Sequence, residues 1–392
     1  MSTQRVDVVV VGLGGLGSAT AWQLARRGAD VVGLEQFELG HVRGASHDTS
    51  RILRRSYHTP TYVQLACEAY DDWAELSAAA GTELVTVVGG VDLFPPGAAI
   101  PAADYSDSMR ARNVPFENLS ADEVMARWPA LSLPSGTRAL FQADTAIVPA
   151  GRATATMQRL AVAAGARLLG SAPVTQLADR GDGRVEVTAG GTTYVADRVV
   201  LTADAWTNAL LAHLGTSLPL TVTREQVTYF APEDPRRFGP ERLPVWIWMD
   251  NPSFYGFPTY DEMGTAMWVK AAEDVGGAIT TAEERSFDAD ESALARLRDF
   301  AQGLLPGVGA AVKTVTCLYT LPPDRDFVLG PLPEHPSVLV GLGAGHAFKF
   351  APTFGRVLAD LVGDGSTASD ISAFRTDRPA LVDAGHPVSW LV

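Results

Sequence analysis

Apolar residues fall in two kinds of run, and the kind changes along the chain. Val6-Asp7-Val8-Val9-Val10-Val11 is nearly all apolar and β-branched, which predicts a strand buried on both faces of a parallel sheet. A helix is expected over residues 18–27, with Trp22 on its apolar face. Gly28 is placed to stop it, and a second strand is expected over 29–34. Further helices are predicted over 62–79, 121–127, 149–165, 282–305 and 353–362, with Pro95, Pro96 and Pro101 read as chain breakers. Strands are expected at 166–169, 174–177, 185–188 and 194–202. After Pro219 the runs become short and aromatic, at 226–230, 245–249, 253–258 and 266–271, and a further strand follows at 312–321. This predicts a mainly antiparallel sheet. Short apolar runs that read as strands of the first domain return at 327–330 and 338–341. The chain therefore reads as two interleaved domains of an α/β protein, the second of α+β type.

The junction between the first strand and helix is Gly12-Leu13-Gly14-Gly15-Leu16-Gly17, and Glu35 closes the second strand. In a strand–GxGxxG–helix–strand–acid unit, Gly12 permits the tight turn. Gly14 lets the backbone approach a pyrophosphate, and Gly17 lets helix and strand pack closely. The helix N-terminus offers unpaired N–H groups to phosphate, and Glu35 can accept hydrogen bonds from ribose hydroxyls. A second glycine cluster, Gly341-Leu342-Gly343-Ala344-Gly345-His346, sits between a predicted strand and helix. One nicotinamide dinucleotide needs no second unit of this kind, whereas a longer flavin dinucleotide can place its ring edge against one.

Composition narrows the choice further. The 392 residues carry 31 Lys+Arg against 45 Asp+Glu, a net charge of −14, which disfavours nucleic acid and anionic membrane as partners. No apolar run reaches the length of a membrane span, and no secretory leader is evident, so a cytoplasmic location is expected. The two cysteines, Cys67 and Cys317, form no CxxC pair, and the histidines form no HExxH motif. A disulfide framework and a metal site are not expected. No Gly-Lys pair and no GxSxG occur, which disfavours a P-loop and a hydrolase elbow.

Taken in order, the N-terminal fingerprint, Gly44-Ala45-Ser46-His47-Asp48-Thr49-Ser50-Arg51-Ile52-Leu53-Arg54, Tyr255-Gly256-Phe257-Pro258, Val269-Lys270, Cys317-Leu318-Tyr319-Thr320 and Gly345-His346-Ala347-Phe348-Lys349-Phe350 resemble the sarcosine oxidase and N-methyl amino acid oxidase group of FAD-dependent amine oxidases, within the D-amino-acid-oxidase-like superfamily. The resemblance covers nearly the whole chain. It implies a Rossmann-type FAD domain built from residues 1–85, 145–218 and 322–385, and a substrate domain from 86–144 and 219–321. Cys317 matches the cysteine that joins the flavin covalently, and Lys270 matches the lysine that assists dioxygen. Arg54 and Lys349 match the clamp for a substrate carboxylate. Tyr255 and His346 match residues lining the substrate side, and His47 and Arg51 match residues beside the flavin ring. Gly12, Gly14, Gly15, Gly17, Glu35, Gln36, Ser50, Val174, Gly343, Gly345 and Lys349 are expected to contact FAD.

The implied reaction oxidises a secondary amine or amino acid to an imine, with dioxygen reduced to hydrogen peroxide by a monomeric enzyme. The alternatives are an NAD(P)-dependent Rossmann dehydrogenase, a flavin dehydrogenase using another acceptor, and a non-catalytic flavin-binding module. Four departures put sarcosine itself in doubt. Asp274 stands about where sarcosine oxidases carry histidine, and the hairpin between Tyr255 and Lys270 is longer. Asp204 replaces a usual glycine. Trp246, Trp248 and Trp268 crowd the substrate sheet and point to a bulkier, N-methylated or cyclic substrate.

Overall fold

The computed structural model describes residues 2–260 and 267–391. The β-branched run at the start forms the strand Ser2–Val11, which is central to an eight-stranded sheet. Val31–Leu34 and Thr192–Leu201 flank it in parallel. Arg167–Leu169 extends one side, and Val338–Leu342 lies parallel to the end of Thr192–Leu201. The chain thus returns to its first sheet after an excursion of more than a hundred residues. An antiparallel ribbon, Val174–Asp179 and Val185–Ala189, completes that sheet together with Val328–Pro331. Helix Gly15–Ala25, buried along almost its whole length, packs between helices Ala150–Ala163 and Ala351–Gly363.

A nine-stranded sheet forms the second layer of strands. Thr221–Ala231 pairs with Val269–Asp274, Ala310–Leu321 and the short Ala278–Ile279. The sheet continues through Ser253–Phe257, Val245–Trp248, Gly90–Phe94, Arg138–Gln142 and Glu117–Ser120. All these pairings are antiparallel except Val245–Trp248 with Gly90–Phe94. A three-stranded sheet of Arg51–Leu53, Ala146–Val148 and Thr86–Val87 lies beside it.

Several expectations are corrected. The helix expected over 282–305 is confined to Glu291–Leu304, because Asp290 Oδ1 accepts the Ser292 and Ala293 N–H groups and so caps it there. Pro101 does not merely break the chain. It precedes an unforeseen helix, Ala102–Ala111. The strand expected over 266–271 is Val269–Asp274, with residue 266 outside the described residues, as is the tip of the long hairpin.

The three tryptophans of the substrate sheet serve packing. Trp246 and Trp248 alternate with Ile247 and Met249, so the two tryptophans project from one face and pack around Phe300. Ile247 and Met249 face the cavity instead. Trp268 packs edge-on to Tyr229. None of the three tryptophans lines the cavity. Among the described residues, no helix is long and apolar enough to cross a membrane.

Candidate functional site

A cavity of 660 Å³ runs from the first glycine loop, under the loop 44–54, to the nine-stranded sheet. At its first end, Gly12 has φ +91° and donates its N–H to Leu34 O at 2.8 Å. A Cβ there would lie 2.6 Å from Thr202 O, so only glycine fits. Gly17 faces Gly12 O so closely that any side chain would overlap it, and Gly17 packs rather than lining the cavity. Ser46 Oγ accepts the Gly15 N–H at 2.9 Å and ties the loop 44–54 to the helix start.

Glu35 is buried at the strand end. Its Oε2 accepts the Leu13 N–H at 2.9 Å, its Oε1 accepts the Phe37 N–H at 3.1 Å, and His41 Nε2 lies 3.3 Å from Oε1. Burial pushes its carboxyl up, but these hydrogen bonds outweigh burial and hold it below the usual range. Gln36 and Val174 line the same end, as does Asp204. Asp204 stands at φ +47°, the left-handed region that glycine adopts freely, which accounts for the usual glycine there. Its Oδ2 is buried without a hydrogen-bond partner among the described residues, and burial raises the carboxyl to about 6.

The middle of the cavity is cationic. Arg51 is fixed by three backbone carbonyls, those of Ser50, Ala45 and His47, at 2.8–2.9 Å. His47 is buried with Nε2 unpartnered, and burial together with Arg51 lowers it to about 4, so the imidazole is neutral. Lys270, only 3% exposed, donates to Asp48 Oδ2 at 2.6 Å and to Ser50 O at 3.1 Å. Burial brings Lys270 down to about 8, opposed by Asp48. Cys317 lies opposite on strand Ala310–Leu321, and burial lifts its thiol to about 12 against the pull of Arg51, Arg285 and Lys270.

The far end carries two further cations. Arg54 pairs with Asp92 at 3.0 Å, and Ser56 Oγ donates to the other Asp92 oxygen. The Lys349 ammonium has no hydrogen-bond or ion-pair partner among the described residues and lies 5.6 Å from the Tyr57 ring centre, while the Lys349 carbonyl accepts from Trp73 Nε1 at 2.7 Å. Burial and the neighbouring Arg54 lower Lys349 to about 7. Tyr255 faces this space, as does His346, whose Nε2 lies 3.2 Å from Arg325 O. Burial holds the His346 imidazole well below its ordinary range. Arg325 grips both oxygens of Asp274 at 2.8 Å and donates to Trp390 O.

The structure therefore gathers Gly12, Gly14, Gly15, Glu35, Gln36, His47, Ser50, Arg51, Arg54, Val174, Tyr255, Lys270, Cys317, Gly343, Gly345, His346 and Lys349 around one cavity, with Gly17 just behind it. Cys67 stays apart, half-buried in helix Pro60–Ala80. Sequence reasoning gave no role to Asp48, Tyr229, Tyr319 or Arg325. A carboxylate set among the bases of the loop 44–54 is the signal that could have marked Asp48.

The cradle fits an FAD-sized dinucleotide on three observations. The glycine loop admits no side chain at Gly12, the cavity-lining residues Asp204 and His47 each carry a buried polar atom without a partner among the described residues (Oδ2 and Nε2), and a second glycine loop lines the same cavity close to the first, with Phe348 against Gly15. A family model described as FAD dependent oxidoreductase matches residues 7–361. A monomeric sarcosine oxidase from Streptomyces avermitilis is 36% identical, over 96% of this chain and 99% of its own length. An N-methyl-L-tryptophan oxidase from Salmonella arizonae is 30% identical, over 95% of this chain and 99% of its own. Among solved structures, NikD, an unusual amino acid oxidase essential for nikkomycin biosynthesis, superposes with a TM-score of 0.84 at 31% identity, covering 95% of this chain and 97% of its own.

Proposed function

We propose, because the chain belongs to the family of FAD-dependent oxidoreductases, that it oxidises a carboxylate-bearing secondary amine, an N-methyl or cyclic amino acid, to the imine and reduces dioxygen to hydrogen peroxide. The observation that carries this reading is a pair of enclosed cations, Arg54 and Lys349, at one end of a cavity whose other end is a dinucleotide cradle. The nicotinamide alternative falls with the family assignment.

FAD, when bound, supplies the acceptor for the substrate's hydride and the electrons for dioxygen. Gly12, Gly14, Gly15, Glu35, Gln36 and Val174 would hold its dinucleotide part. Ser50, Arg51, His47, Gly343 and Gly345 would surround its ring, and Cys317 would link to it covalently. Arg54 and Lys349 clamp the substrate carboxylate, the former through a planar fork and the latter as a point charge. The Tyr255 hydroxyl and the neutral His346 ring face the amine and orient it. The amine must be uncharged before its carbon gives up hydride, so substrate oxidation speeds up as pH rises through the bound amine's pKa. The Lys270 ammonium stabilises the negative charge that develops on dioxygen. We further take residues 1–85, 145–218 and 322–385 as the FAD-binding domain of a monomeric cytoplasmic enzyme.

Acid precipitation of the purified protein tests the cofactor. Yellow colour in the pellet supports the Cys317 linkage, and Cys317→Ala should release it to the supernatant. A colourless protein would sink the assignment. Peroxide assays with N-methyl, cyclic and aromatic amino acids then identify the substrate.

A further inference from the structure

One buried carboxylate in the cavity wall, that of Asp48, is turned toward Lys270 and Tyr229. Asp48 Oδ2 accepts from Lys270 Nζ at 2.6 Å, and its Oδ1 accepts from the Tyr229 hydroxyl at 2.6 Å. Tyr229 Oη in turn lies 2.9 Å from Thr49 Oγ1. The Asp48 backbone stands at φ +77°, pinned where its carbonyl accepts the Gly151 N–H at 3.1 Å. A non-glycine residue in that region costs on the order of 1 kcal/mol, and aspartate is one of the few that tolerate it. A strained backbone that delivers a buried charge to a cavity points to function.

The groups that face Lys270 come from four elements. The loop 44–54 supplies Asp48, Arg51, His47 and Ser50, and strand Ala310–Leu321 supplies Cys317. Strand Thr221–Ala231 supplies Tyr229, and Ser253–Phe257 supplies the Phe257 ring at 5.2 Å. His47 and the Cys317 thiol are neutral at pH 7, and Arg51 repels the ammonium. Among these neighbours Asp48 is the anion. Burial and the Lys270 and Arg51 charges act on it in opposite senses, and the charges hold it ionised well below the usual carboxylate range.

We propose that Asp48 is a positioning residue for the oxygen step: it fixes the Lys270 ammonium against the cavity and keeps it protonated through neutral pH, with Tyr229 holding the carboxylate's other oxygen. This rests on the assignment of Lys270 to dioxygen. With Asp48 in place, burial and Arg51 already bring Lys270 down to about 8. Loss of the carboxylate leaves burial and Arg51 unopposed, and the ammonium gives up its proton within the neutral range.

The test is stopped-flow reoxidation of the reduced holoenzyme by dioxygen between pH 6 and 9. The parent rate should fall as pH rises through about 8. Asp48→Asn, which tolerates the same φ, should move that inflection down by about one pH unit or more. It should slow reoxidation roughly threefold or more at pH 7.5, with recovery on acidification. Asp48→Glu, which keeps the charge, should restore the parent profile. A second measurement needs no turnover. Lys270 binds its proton more weakly in the folded state, at about 8, than at its ordinary 10.5, so its contribution makes the thermal midpoint rise with pH across that window. In Asp48→Asn the rise should begin at lower pH. An Asp48→Asn profile that superimposes on the parent's overturns the proposal. If Lys270→Met reoxidises like the parent while Asp48→Asn still moves the melting window, the oxygen role of Lys270 itself fails, and only an ion pair is left.

Discussion

Gly345 and Tyr319 meet through the side chain that glycine lacks. At φ +79°, Gly345 turns its Cα to the Tyr319 ring so closely that a Cβ would overlap the ring's edge. The contact joins the second glycine loop to the strand that carries Cys317. Gly345→Ala must both strain the backbone and push Tyr319 into the cavity, a combined cost of about 1–3 kcal/mol. We expect a melting point several degrees lower and less flavin per protein, read from thermal unfolding and visible absorbance.

Lys349 titrates near neutrality because burial and Arg54 both oppose its charge. A substrate carboxylate would meet a cation below pH 7 and a neutral amine above it. The dissociation constant of a simple carboxylate inhibitor should therefore rise as pH passes through about 7. Lys349→Met should weaken binding about tenfold to a hundredfold at pH 6, the scale of a lost charge-assisted hydrogen bond, and much less at pH 9. Equal losses at both pH values would remove the lysine's electrostatic role.

Glu35 holds two backbone N–H groups and faces His41. Its folded pKa lies below 4.5, so its stabilising contribution is complete above that value and disappears as pH falls through the lower folded pKa. Glu35→Gln should cost about 1–3 kcal/mol at pH 7 and progressively less on acidification. Denaturant titration of both proteins from pH 7 to pH 3 checks this.

Asp204 has the opposite sign. Its folded pKa of about 6 exceeds the ordinary 3.8, so the folded protein binds the proton more tightly, and its contribution to stability falls as pH rises through that window. Asp204→Gly removes both this penalty and the backbone strain. The variant should melt higher than the parent, and the difference should widen between pH 4 and pH 6. A variant that melts lower would show that the carboxyl is held by partners that matter more than its burial.

The sequence displayed best what is local or periodic. The first strand and both glycine loops were legible because β-branched runs and glycine punctuation carry their own geometry. The helix Ala102–Ala111 was hidden because Pro101 reads as a breaker, although proline is tolerated at a helix start. The helix before Leu305 was overextended because acidic residues that precede a cap resemble a first turn. The sheet that holds the tryptophans of Val245–Trp248 is legible and the face they take is not, since composition does not say which side of a two-residue period meets the core. Asp48 stood in plain view within a recognised segment, but its partner Lys270 lies 222 positions away. No local rule joins residues at that distance.

The cavity draws its walls from Gly12 at one end of the chain to Lys349 near the other, and the strand bearing Cys317 pairs along its length with Thr221–Ala231. A nascent chain leaving the ribosome therefore has its dinucleotide fingerprint long before it has a site. Until the last sixth of the sequence has emerged, the second glycine loop, Lys349 and the strand Val338–Leu342 do not exist. Cofactor capture then waits on that late segment, and a chain cut short before it keeps the fingerprint while lacking part of the cavity wall.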